Sequence, residues 1–276
     1  MNARIHRFSP SDSGAGAPES DGENRPQRVA VVTGGSSGIG REVGRQLAAA
    51  GYDVVLTARR TDPLREAADE IGARWVAADA AVPEQFAAVV ADAVVAGAGA
   101  AGEGGGDLVV HAAGVMDGTF VRKETVEGFE AVVRANLTSA FVVAHEVLPA
   151  MRPGGRFVFL SSSSAHAPQP GRSAYSASKA GLNAFARALA REVERDGIAV
   201  HVVTTGPVAT PMLDDVRFPM RTLGADEVAA TVVWLDTLPP NVVLPEVELS
   251  SVDAGPFAPE VFVPEAARRL GRTDVD

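Results

Sequence analysis

The chain has 276 residues, 46% of them hydrophobic, which is enough to bury one large core and within the size of a single α/β domain. A net charge of −10 with scattered arginines excludes a nucleic-acid or anionic-membrane surface, and the lack of cysteine removes disulfides, thiol nucleophiles and thiolate metal sites together. No segment reaches the roughly eighteen uninterrupted apolar residues of a membrane helix and the N-terminus carries no apolar h-region, so a cytoplasmic protein is expected.

Residues 1 to 27 are rich in Ser, Gly, Pro and Asp with almost no aliphatic periodicity. They cannot repay the entropy of ordering and are expected to be a disordered tail, ahead of one domain over 28–250 and a C-terminal extension over 251–276. Strand patterns then recur near 28–33, 53–58, 74–79, 107–112, 155–161, 198–204 and 242–249, with helical patterns between them. This alternation predicts an α/β fold, a doubly wound parallel sheet of about seven strands with helices on both faces. Gly97 to Gly106 reads as a flexible Gly/Ala-rich connection.

The first strand, Val29-Ala30-Val31-Val32, runs directly into Thr33-Gly34-Gly35-Ser36-Ser37-Gly38-Ile39-Gly40 and then into the helical pattern Val43, Leu47, Ala48. Strand, glycine turn and helix in that order aim backbone N–H groups and a helix N-terminus at a pyrophosphate. Gly34 would allow the tight turn, Gly38 close approach to the phosphates, and Gly40 close packing of helix on strand. The second strand, Asp53 to Ala58, ends in Arg59-Arg60, with Ala58 where an acid would accept the ribose hydroxyl of NAD. Arg59, with Arg60 second, therefore favours the 2′-phosphate of NADP(H).

Tyr175 and Lys179 stand four residues apart on a helix beginning near Ser173, so they share one face. An ammonium beside a phenol favours the phenolate and would lower its pKa from about 10, making the tyrosine a usable proton donor. The chain holds two tyrosines and two lysines, so this spacing arises by chance in roughly one such sequence in seventy.

Thr33 to Gly40, Asn136, Ser162, Tyr175 and Lys179 stand in the order and spacing of the short-chain dehydrogenase/reductase family, which the chain resembles over about residues 28 to 250. The resemblance implies a Rossmann-like domain and nicotinamide-dependent hydride transfer between cofactor and a carbonyl or secondary alcohol. It implies cofactor contacts at Gly34, Ser36, Ser37, Gly38, Ile39 and Gly40, and adenine contacts at Asp79 and the Ala80 backbone. Ala112, Ala113 and Gly114 would allow close cofactor approach, while Pro207, Val208 and Thr210 would meet the nicotinamide carboxamide. Ser162 would orient the substrate oxygen, Tyr175 protonate it, and Lys179 hold the ribose hydroxyls; Ser164 would assist substrate binding. Asn136 would complete a proton relay through its backbone carbonyl and a water.

Three positions in two motifs depart from the family pattern. His111-Ala112-Ala113-Gly114 replaces the usual Asn-Asn-Ala-Gly, and Thr205 replaces a proline before Gly206. His111 could serve as base or ligand, but a satisfied strand-end histidine is the expectation, and His145, His166 and His201 show no metal-ligand spacing, so no metal is expected. Residues 211 to about 225, with Met212, Leu213, Val216, Phe218 and Met220, are where this family closes over substrate, and their apolar character suits a partly hydrophobic one. The pattern from Trp234 to Leu249 resembles the bacterial branch of clavulanate-pathway aldehyde reductase and 3-hydroxy-acid dehydrogenases.

The expected function is thus an NADP(H)-dependent oxidoreductase acting on an aldehyde, ketone or 3-oxo/3-hydroxy acid, with a catalytically silent dinucleotide-binding scaffold or sensor as the alternative. Family members commonly assemble through the helices here expected over 124–151 and 173–196. Val132, Val133, Ala140, Val143, Phe185, Ala186 and Leu189 are read as their outer faces, predicting a homotetramer or homodimer.

Overall fold

The computed structural model describes residues 28–97, 108–213 and 222–251. The expected tail over 1 to 27, nearly all of Gly97 to Gly106, the middle of the 211–225 segment and the C-terminal extension after 251 lie outside the described residues. Seven strands form one sheet: β1 Val29–Thr33, β2 Asp53–Ala58, β3 Arg74–Ala77, β4 Leu108–His111, β5 Arg156–Ser162, β6 Ala199–Thr205 and β7 Glu246–Leu249. Their order is β3-β2-β1-β4-β5-β6-β7 and every pairing is parallel.

Helices α1 Gly38–Ala49, α2 Thr61–Ile71 and α7 Ala225–Asp236 cover one face of the sheet. On the other lie α3 Pro83–Gly97, α5 Ser139–Val147 and α6 Ser173–Glu192. This explains the unbroken apolar run of β1: Val31 faces one core, Ala30 and Val32 the other, so both sides are covered. The chain order reverses between β1 and β4, and in sheets of this kind the carboxyl ends of the strands at such a reversal are where ligands bind. Thr33 and His111, the last residues of those two strands, are register partners across it.

The helix expected over 124–151 is divided into α4 Val126–Val133, a π-helical segment Arg134–Thr138, α5, and a 3-10 turn Leu148–Ala150. Val126–Ala150 is long and apolar enough by composition to cross a membrane, yet Val132, Ala140, Val142, Val143 and Val147 are buried inside this domain. The helix expected over 173–196 ends at Glu192, followed by a 3-10 turn Glu194–Asp196 that Gly197 closes at φ 69°. The outer-face reading of these helices is corrected as well: Val132, Ala140, Val143, Ala186 and Leu189 all point into the protomer. The exposed apolar residues are instead Val126, Phe129 and Phe141, the last 53% exposed, stacked on His145 and edge-on to Phe185.

Strand β7 begins at Glu246 although its apolar pattern starts near 242, because the carbonyls of Val242 and Leu244 are bonded to side chains and β6 first takes up the chain at Pro245 O. Arg156, 3% exposed, donates to Leu238 O, Pro239 O at 3.1 Å and Val242 O at 3.4 Å, and its Nε lies 3.8 Å from Asp236. Arg156 also donates to His201 Nε2 at 3.2 Å, which leaves the proton on Nδ1, and Nδ1 donates to Leu244 O at 3.0 Å. A buried guanidinium that satisfies three carbonyls fixes where the chain turns into the edge strand.

Candidate active site

The turn after β1 packs too closely on the protein's own backbone to carry side chains. Gly34 sits at φ 69°, and a Cβ there would lie 2.9 Å from Ala113 N; Gly40 packs so closely on the turn that a Cβ would lie 2.4 Å from Gly34 O. Helix α1 starts with no side-chain cap from Ser37 and no acid in its first turn, so its N-terminal amides and dipole remain unneutralised. This suits an anionic cofactor. Thr210 closes the same region from the far side, its side chain 3.3 Å from where a Gly38 Cβ would stand, and Val208 is held by a bridge to Leu223.

Gly35 N–H donates to Thr57 O at 3.1 Å, which ties the turn to the end of β2. Arg59 and Arg60 follow immediately, both exposed, and neither forms an ion pair among the described residues. Asp79 caps the next connection, accepting Ala81 N–H at 2.9 Å through Oδ1 while its own N–H goes to Gln85 Oε1 at 2.8 Å. Ala80 is buried beside it.

Ser162 ends β5, its hydroxyl accepting Ser164 N–H at 3.2 Å. Tyr175 is 7% exposed, on the first turn of α6. Burial pushes its pKa up, against the opposing pull of the Ser162 hydroxyl and the Arg172 charge. This corrects the expectation that Lys179 would bring the phenol down. The Lys179 Nζ stands 5.9 Å from the ring centroid and donates to Leu160 O at 2.8 Å, and the same loss of water lowers its own pKa to about 8.

Asn136 lies in the π-helical segment and is fully buried. Its Oδ1 accepts Val115 N–H at 2.7 Å, and its Nδ2 donates to Val115 O at 3.0 Å and Ser178 Oγ at 2.9 Å. Ser178 in turn donates to Tyr175 O at 2.7 Å. Both amide protons are thereby used, gripping the loop after β4 like a strand partner and tying it to α6. Gly114 leaves room for this, since a Cβ there would lie 3.0 Å from Asn136 Oδ1 and 3.6 Å from Lys179 Nζ.

His111 is 1% exposed and bonded at both nitrogens, to Thr33 Oγ1 at 3.1 Å and Ser139 Oγ at 3.2 Å. It is the satisfied strand-end histidine the sequence led us to expect. Two contributors were not legible in the sequence. Ser178 carried a usable sign, its place beside Lys179; Arg172, which donates to Met116 O at 2.9 Å and biases the phenol by its charge, carried none.

The model of the short chain dehydrogenase family matches residues 28–220. The chain belongs to that family. It is 34% identical over 229 residues to an acetoacetyl-CoA reductase of Acinetobacter sp., covering 76% of this chain and 90% of that one. Against a 2-dehydro-3-deoxy-L-rhamnonate dehydrogenase (NAD(+)) of Sphingomonas sp. the identity is 33% over 220 residues, with 75% and 86% covered. Among solved structures, a short chain dehydrogenase from Burkholderia cenocepacia in complex with NADP superposes at a TM-score of 0.70 with 27% identity, covering 82% of this chain and 98% of that one. This short-chain dehydrogenase is therefore a nicotinamide-dependent oxidoreductase on a seven-stranded Rossmann-like sheet.

Proposed function

We propose that the chain is an NADPH-dependent reductase of small carbonyl compounds, with Ser162, Tyr175 and Lys179 as its catalytic residues. The observation that carries this reading is the convergence of a buried phenol and a buried lysine on one face of α6, with Ser162 at the end of β5, in a fold whose glycine turn leads into an uncapped helix N-terminus. Gly34 to Gly40 would hold the pyrophosphate, Arg59 and Arg60 the 2′-phosphate, Asp79 and Ala80 the adenine, and Ala112 to Gly114 with Pro207, Val208 and Thr210 the nicotinamide end. NADPH, when bound, supplies the hydride for the carbonyl carbon. Ser162 donates a hydrogen bond to the carbonyl oxygen and Tyr175 gives it a proton, while Lys179 holds ribose hydroxyls. Because the Asn136 side chain is spent on Val115 and Ser178, its part in proton supply falls to its main chain.

The relatives named acetoacetyl-CoA reductase favour a 3-oxo compound among the aldehyde, ketone and 3-oxo acid candidates. Arg59→Ala tests the cofactor assignment. Loss of a charge-assisted phosphate contact is expected to weaken NADPH about tenfold to a hundredfold and NADH hardly at all. Titration of cofactor fluorescence reads both, and equal weakening of the two would end the NADP reading.

We also propose a homodimer or homotetramer. Val126, Phe129 and Phe141 leave an apolar face on α4 and α5 that a second copy would cover. Light scattering at micromolar concentration is expected to give two or four times the 28.5 kDa of one chain. A monomer mass would remove the interface.

A further inference from the structure

We infer that His111 is a positioning residue for the reaction, joining the cofactor turn to the π-helical segment that carries Asn136 through a directed chain of hydrogen bonds in its neutral Nε2–H tautomer. The directions follow from counting donors. Ser139 Oγ lies 2.7 Å from Ala135 O, a group that can only accept, so the hydroxyl proton is spent there and Ser139 must accept from His111 Nε2–H at 3.2 Å. That leaves Nδ1 bare. At the other end Thr33 Oγ1 accepts two amides, Ala112 N–H at 3.1 Å and Ala113 N–H at 3.0 Å, which fills its lone pairs and directs its proton to His111 Nδ1 at 3.1 Å. The reverse tautomer would place three donors on Thr33 Oγ1 and take the Ser139 proton away from Ala135 O.

Each end of this chain holds something the reaction needs. Thr33 is the residue before Gly34 and accepts the Ala112 and Ala113 amides, and Gly34 packs against the peptide that joins those two alanines. Ser139 closes the π-helical segment: its own N–H reaches back to Arg134 O, and its hydroxyl serves Ala135 O in place of that amide. Asn136 follows Ala135 directly and passes the linkage on through Ser178 to the carbonyl of Tyr175. One imidazole, 1% exposed and packed beside Phe159, thus spans from the turn to the irregular helix. An asparagine at position 111 has a shorter reach and presents no ring nitrogen on the Ser139 side. Burial, with the Lys179 charge acting in the same sense, holds the imidazole pKa down to about 3, so the neutral form persists wherever the protein works.

This inference rests on the proposed reductase reading, and its test has arms that do not. Heteronuclear NMR of the imidazole nitrogens is expected to show Nε2 protonated and Nδ1 bare; a protonated Nδ1 overturns the chain. Ser139→Ala cuts it at one link without touching the glycine turn. It is expected to bind NADPH within about twofold of the parent, to lose about tenfold in kcat through displacement of Asn136, and to shift the Val115 amide resonance, since that amide is bonded to Asn136 Oδ1. Unchanged kcat with an unchanged Val115 resonance would overturn the inference. His111→Asn should reproduce the Ser139→Ala loss, and the double variant should be no worse than either single one, whereas additive losses would mean that the two residues act independently. A parent that oxidises NADPH with no carbonyl would sink the reductase reading alone, leaving the tautomer and the Val115 resonance to decide the chain.

Discussion

Tyr175→Phe is expected to fold, to bind NADPH as the parent does, and to lose turnover by about a hundredfold to ten-thousandfold. The ring fills the same space between Val132, Ala174 and the Val115–Met116 loop, so packing is kept while the proton is lost. The structure also fixes the sign of the pH dependence. Burial holds the phenol above its ordinary 10, despite Ser162 and Arg172, so it stays protonated through neutrality. Carbonyl reduction, which uses the protonated phenol, should be flat across neutral pH and fall only on the alkaline side. Alcohol oxidation, which needs the phenolate, should climb with pH over the same range. Steady-state rates in both directions check this, and a Phe variant within a few-fold of the parent would take Tyr175 out of the acid role.

What could be read from the sequence was set by local chemistry. Apolar runs such as Val29 to Val32 and Val54 to Leu56, bounded by turn residues, suit a strand covered on both faces, and β1 and β2 stand there. The glycine turn was legible because Gly34 and Gly40 have backbone neighbours that exclude any side chain. Tyr175 and Lys179 were legible as neighbours because a helix fixes the spacing of i and i+4.

What could not be read depends on distant groups. The early end of the β7 pattern was hidden because Arg156 and His201, on β5 and β6, capture the backbone of residues 242 and 244. The π-helical segment around Asn136 leaves the apolar pattern of α4 and α5 nearly intact, since Val132, Ala140 and Val143 still fall on one side. Where apolar residues run together, as over 140–144, periodicity does not say which side is the core, and so the outer face was assigned to residues that point inward. Burial misled in a second way. Proximity of Lys179 to Tyr175 is a sequence property, whereas the removal of water from both is a property of the fold, and it dominates the pKa of each.

That same burial sets up the second large effect, because Lys179→Met should destroy most activity and stabilise the protein. Lys179 is 6% exposed, with its pKa lowered from 10.5 to about 8 by desolvation. Such a drop corresponds to on the order of 3 kcal/mol held against the charged form. Below pH 8 the folded and unfolded chains both carry the proton and the full cost is present. Between about 8 and 10.5 the folded chain releases the proton while the unfolded chain keeps it, so the parent gains stability as pH rises. Above that interval both are neutral and the cost is gone. Methionine keeps the unbranched stem and carries no charge, and its penalty is the lost bond to Leu160 O, about 1 kcal/mol. The variant should therefore be more stable than the parent by about 2 kcal/mol at pH 7, and that advantage should shrink as pH approaches 10.5. Denaturant unfolding of both proteins without cofactor at pH 7 and near 10 measures the two differences. A variant less stable than the parent at neutral pH, or a gap that does not change with pH, would show that the buried ammonium carries no such cost. The expected result would mean that the fold keeps a destabilising charge beside Tyr175 for its use in the reaction.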